Sequence, residues 1–143
     1  MYPSVVNRER YADGIIHIVG LIAVVIGCAL LLRYAVIELE TPLILACALY
    51  TLSMIASFGG SASYHLLPQH HWRKRLRKLD HVAIYALIAG TFTPLMAKIG
   101  SSFAYGVLAA VWIFAIPAML YKLFGKNIDS RWSLVSYIGL GWF

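Results

Sequence analysis

Ser61, His65 and Asp80 are the side chains of this sequence whose types and spacing best suit chemistry. They stand at the facing ends of two apolar segments, within SASYHLLPQHHWRKRLRKLDHVAIY at residues 61–85. Ionisable groups at the ends of membrane spans are costly, so they point to a site before they point to packing. Read as helix, Ser57, Ser61 and His65 recur every four residues and form one stripe, which Ser53 extends into the apolar segment. Asp80 and Thr91 are eleven residues apart, close to a whole number of turns, and share a face of the next segment. Asp13, His17 and Gly20 line up in the first. Three helices thus turn polar groups inward near one end. For His65 and Asp80 the residues alone leave two readings open: a structural hydrogen bond or a metal centre.

Plainer roles compete for the neighbouring side chains. Ser53 and Ser57 can bond back to their own helix or pack against a neighbour. His17 can donate to Asp13 one turn earlier, His70 and His71 follow Pro68 into solvent, and His81 can cap a helix that starts beside Asp80. Ala56, Ser57, Gly59, Gly60, Ser61, Ala62 and Ser63 form a small-residue surface that lets another helix approach closely.

The elements that must position these groups follow from composition. Apolar residues make up 61% of the chain and charged residues 13%, against roughly a quarter charged in soluble domains. Uncharged runs at residues 15–32, 43–67, 82–97 and 103–121 are long enough, or nearly so, to cross a hydrocarbon core, which takes about 20 helical residues. The fold class expected is all-α: a polytopic transmembrane helical bundle. The first run lacks the cleavage site and polar mature domain of a secretory signal, so it reads as an anchor. Cys28 and Cys47 fall inside spans without metal-type spacing and read as buried, unbridged thiols.

Charge orients the chain. Arg73, Lys74, Arg75, Arg77 and Lys78 follow the second span with no acid among them, and Lys122, Lys126 and Arg131 follow the fourth against Asp129 alone. The other two connections carry Arg33 with Glu38 and Glu40, and Lys98. Lysine and arginine collect on the cytoplasmic side, which also puts the N-terminus, with Arg8 and Arg10, inside. The basic cluster is expected to anchor the protein and meet anionic lipid; a nucleic-acid partner is not expected. An integral protein of a bacterial plasma membrane fits this pattern.

No linker, repeat or low-complexity tract divides the chain, so residues 1–143 read as one membrane domain. A fifth apolar run starts at Trp132 and reaches Phe143 in twelve residues, about 18 Å of helix. That is too short to span, so the domain is expected to be incomplete at the C-terminus.

Three blocks resemble the haemolysin III branch of the progestin and adipoQ receptor family. They are ERYADGIIH at residues 9–17, SASYH at 61–65 and LDHVAIY at 79–85, the last continuing as LIAGTFTP to Pro94. YIGLGW at 137–142 is similar to the start of that family's fifth helix. The resemblance covers essentially the whole chain. It implies a seven-helix bundle with a zinc site near the cytoplasmic face, shared with alkaline ceramidases. Such sites combine a serine and histidine three residues apart, an aspartate on the next helix, and a late histidine pair. Ser61 and His65 match the first motif and Asp80 the second, and the chain ends before the third. Asp13 stands where many relatives carry asparagine.

By that resemblance His65 is a direct zinc ligand, Asp80 holds or deprotonates the attacking water, and Ser61 supports the site or the reacting carbonyl. Neutral imidazole is a good zinc ligand, and zinc lowers the pKa of water to about 7. An amide or ester lipid entering from the bilayer is the natural substrate. Two other classes stay open: a pore-forming haemolysin, and a receptor or sensor in which zinc is structural. A pore needs a continuous polar lining, which the first span lacks. With the late histidines missing, zinc is expected to bind this chain weakly or not at all.

The charge pattern yields a topology test. Single cysteines placed in residues 68–79, with Cys28 and Cys47 replaced, should resist an impermeant thiol reagent in intact cells. Rapid labelling from outside would reverse the orientation.

Overall fold

The computed structural model describes residues 7–67, 71–125, 139 and 141. It is all-α there, with four helices: α1 (Asn7–Glu38), α2 (Thr41–Leu66), α3 (Arg73–Ile99) and α4 (Ser102–Phe124). All four are long and apolar enough to cross a membrane. They outrun the apolar windows at several ends, because a helix keeps its backbone bonded through the headgroup region as readily as through lipid. α1, at 32 residues, extends about 48 Å. The fifth apolar run lies outside the described residues, apart from Gly139 and Gly141, which are helical and exposed.

Local sequence explains the breaks. Leu39 and Glu40 separate α1 from α2, which opens with proline in its first turn, where the missing N–H costs nothing. Gly100 closes α3 at φ +66, a left-handed conformation that favours glycine, and its N–H bonds Met96 O at 3.1 Å. Ser101 then caps α4 by accepting from Ala104 N at 3.1 Å.

The described helices pack in sequence order, α1 on α2, α2 on α3 and α3 on α4. α1 faces outward with Ile15, Ile18, Val19, Ile22 and Val25 exposed, as lipid contact requires. Tyr85 and Ala89 on α3 meet Val111 and Ala115 on α4 in a buried cluster, and Trp112 Nε1 donates to Thr93 Oγ1 at 3.2 Å. Cys28 and Cys47 are buried and unbridged, as expected.

Two local expectations change. Arg73 to Lys78 form the opening turns of α3 rather than an irregular turn. There Lys78 Nζ donates to Leu123 O at 2.9 Å and Gly125 O at 3.2 Å, placing its charge on the negative C-terminal end of α4. Because α3 starts at Arg73, His81 lies two turns inside the helix and does not cap it.

α2 and α3 approach most closely where glycine replaces a side chain. A Cβ on Gly90 would stand 2.1 Å from Ser53 Oγ and 3.0 Å from Ser53 Cβ, whereas one on Gly59 would meet nothing within 4 Å. Gly90→Ala should therefore destabilise the bundle by about 1–3 kcal/mol, while Gly59→Ala should be neutral or stabilising by up to about 1 kcal/mol. Thermal unfolding of the two variants in detergent checks the contrast.

Candidate metal centre

The polar residues converge where the N-terminal part of α1, the C-terminal end of α2 and the N-terminal part of α3 meet. α1 lies close to α2 there, because Gly20 leaves room for the Phe58 ring, 3.3 Å from where a Cβ would sit, and Gly14 lies against Leu66. On the other side of α2, Gly60 brings the backbone of Asp80 to 3.8 Å from its own missing Cβ.

Asp13 and His17, one turn apart, face His65 across this contact. His17 Nδ1 donates to the backbone carbonyl of Asp13 at 2.7 Å. A carbonyl can only accept, so Nδ1 carries the hydrogen and Nε2 of the neutral ring keeps its lone pair. That nitrogen lies 3.3 Å from Ser61 Oγ, whose hydroxyl donates to it. His65 Nδ1 lies 3.3 Å from Asp13 Oδ2, with the two side chains 25% and 33% exposed. The His17 and His65 rings stack with centroids 4.6 Å apart.

One donor atom each from Asp13, His17 and His65 falls within 4.8 Å of the others, a group able to hold a metal ion. Two imidazoles and a carboxylate suit a transition cation such as zinc, and suit magnesium or calcium poorly because those prefer oxygen throughout. The donor set thus fits the metal that the resemblance implies.

Beside this group is a cavity of about 310 Å³. His17, Ser57, Ser61 and Asp80 line it, with Phe58 and Ile84 among its apolar walls. Among the described residues the Asp80 carboxylate takes no hydrogen bond.

The residues singled out in the sequence are therefore brought together in two parts. Ser61 and Asp80 share the cavity, while His65 pairs with Asp13 rather than with Asp80. His17 joins the parts, and its expected bond to Asp13 is present through the backbone carbonyl. Ser53 bonds back to Tyr50 O at 2.8 Å, the plainer of its two readings. Thr91 turns its hydroxyl back to Leu87 O and lines a different, apolar pocket with Pro94. His71 is exposed, and His70 lies outside the described residues. The place of Asp13 and His17 in the donor group is what sequence reasoning missed. Their four-residue spacing, the same as that of Ser61 and His65, was the available signal.

Comparison with known proteins places this arrangement. The Haemolysin-III related family matches residues 6–143. The chain belongs to the haemolysin III family. It is 30% identical over 136 residues to Hemolysin-3 of Bacillus cereus, covering 94% of this chain and 62% of that protein. A Hemolysin-3 homolog of Bacillus subtilis (strain 168) is 26% identical over 136 residues, covering 94% and 64%. The chain thus spans a little under two thirds of the length of these curated relatives. No solved structure matches it. Family membership and four membrane-length helices make it an integral membrane protein.

Proposed function

We propose that this chain carries the first part of a zinc-dependent hydrolase centre acting on an amide or ester of a membrane lipid. The observation that carries the reading is the shared cavity. An unpartnered carboxylate, Asp80, and a hydroxyl, Ser61, line one space beside His65 and its imidazole neighbour. Polar groups gathered at the end of membrane helices mark function more often than packing.

His65 is the ligand in this reading. When bound, zinc supplies a Lewis acid able to polarise a carbonyl and to acidify water to a pKa of about 7. Asp80 takes the proton of the attacking water as its oxygen joins the carbonyl carbon. It then returns that proton to the departing amine or alcohol as the carbon–nitrogen or carbon–oxygen bond breaks. Ser61 holds His17 through its hydroxyl and can turn the same hydroxyl towards the carbonyl oxygen. Apolar walls limit water, which strengthens each of these interactions.

The side of the membrane follows from the basic opening of α3. Arg73, Lys74, Arg75, Arg77 and Lys78 put this end of the bundle at the cytoplasmic face of a bacterial plasma membrane, against anionic headgroups. The N-terminus is then cytoplasmic too. A substrate enters from the adjoining leaflet.

The names of the relatives raise pore formation as the second reading, and one pair of measurements separates the two. Asp80→Asn should keep most of the metal but lose about 10²- to 10⁴-fold of lipid turnover, because the amide can hydrogen-bond yet cannot take a proton. Turnover of ceramide-like and ester lipids is measured beside dye leakage from liposomes, with and without chelator. Leakage indifferent to both treatments, with no turnover, would replace the hydrolase by a pore.

A further inference from the structure

We infer that α1 is itself a ligand-bearing helix: Asp13 and His17 join His65 to bind one zinc-class cation using donors from α1 and α2 alone. This rests on the reading of His65 as a ligand and extends it to two residues outside the matched serine, histidine and aspartate motifs. It also reverses the sequence expectation that the site depends on later histidines.

Distance is the first support. A tetrahedral zinc with bonds of about 2.0–2.1 Å sets neighbouring donor atoms roughly 3.3–3.4 Å apart. His65 Nδ1 and Asp13 Oδ2 stand 3.3 Å apart, that spacing. A charge-assisted N–H···O bond would be about 2.7–2.9 Å, so the pair is loose as a hydrogen bond and apt as two ligands. All three donors already lie within 4.8 Å of one another, and small side-chain rotations bring the third into place.

Ring orientation is the second. Ligating histidines almost always donate their other N–H to a carbonyl or carboxylate, which fixes the tautomer. His17 does this with the Asp13 carbonyl at 2.7 Å, leaving the Nε2 lone pair available. Asp13 then acts twice, through its backbone on the ring and through its carboxylate on the cation.

Rigidity is the third. Asp13 and His17 are i and i+4 on one helix face, the spacing by which a single helix presents two ligands. Gly20 against Phe58 and Gly14 against Leu66 hold that face to the end of α2 that carries His65. Three protein donors leave a fourth place for water or substrate, with Ser61 and the cavity of Asp80 beside it.

The test uses the purified 143-residue chain in detergent, loaded with zinc or cobalt(II) and washed with a weak chelator. Metal analysis should find about one ion per chain. Asp13→Asn, His17→Gln and His65→Gln should each weaken binding by more than about 100-fold, beyond the 10- to 100-fold typical of residues that only support a ligand. His71→Gln should bind as the parent does. Each variant is also heated with and without metal. A ligand variant keeps its metal-free unfolding temperature but loses the rise that metal gives, so failure to fold is seen directly. His17→Cys should retain cobalt and add a thiolate-to-cobalt absorption band that the parent lacks. Metal that depends on His65 but not on Asp13 or His17 overturns the inference and leaves His65 standing as a ligand. A parent chain that keeps no metal overturns it as well. Metal bound as inferred, with no lipid turnover, defeats only the hydrolase.

Discussion

The close approach of α2 to the helices on either side of it is the constraint on which the rest depends. In lipid there is no hydrophobic gain from pressing one apolar helix on another, so backbones come together where small residues allow dispersion contacts. α2 supplies Gly60 beside the Asp80 backbone, and its Ser53 sits where Gly90 of α3 has no side chain. On the other flank, Phe58 of α2 fills the space that Gly20 of α1 leaves. Without these approaches, Ser61 and Asp80 would face separate stretches of lipid. With them, polar groups of three helices line or adjoin one cavity and satisfy one another.

Charge then fixes which end of the row of helices holds that cavity. A run of basic residues at a helix N-terminus is opposed by the helix dipole, so α3 opens against its own electrostatics. Part of that cost is offset by the neighbour: Lys78 reaches the last carbonyls of α4, where the dipole favours a cation. Arg73 lies over the Tyr64 ring, 5.1 Å from its centroid, next to His65. The same residues that hold this end at a headgroup surface therefore also bind it to the helices that carry the site.

Much of this was legible in the sequence, and what was not has a physical reason. The four spans were legible because lipid demands long uncharged runs, and the Ser57–Ser61–His65 stripe because helical phase is fixed. Helix ends were not, since α3 continues through Arg73 to Lys78, where no apolar signal marks it. His81 was misread for that reason. Partner choice was the harder matter. His65 could be paired with Asp80 by motif, but whether it faces α1 or α3 depends on the rotation of α2, which Gly20, Phe58 and Gly60 settle through contacts between residues distant in sequence. Helical phase on α1 aligned Asp13 with His17, yet it could not say what stood opposite.

The geometry of that opposite face separates two ways of burying polar groups in a membrane. A closed network uses up its donors and acceptors, as Thr91 does with Leu87 O and Ser63 with Gly59 O at 2.7 Å each. Such groups stabilise a helix and leave nothing for a ligand. The group at the head of the bundle is different. The His65–Asp13 pair is stretched to 3.3 Å, the hydroxyl of Ser61 lies equally far from His17, and Asp80 adds a carboxylate with no partner among the described residues. An unpaired carboxylate is expensive near lipid, and loose hydrogen bonds return little of that expense. A cation would draw these groups together and compensate their charge, which is why the cluster reads as a binding site rather than as packing.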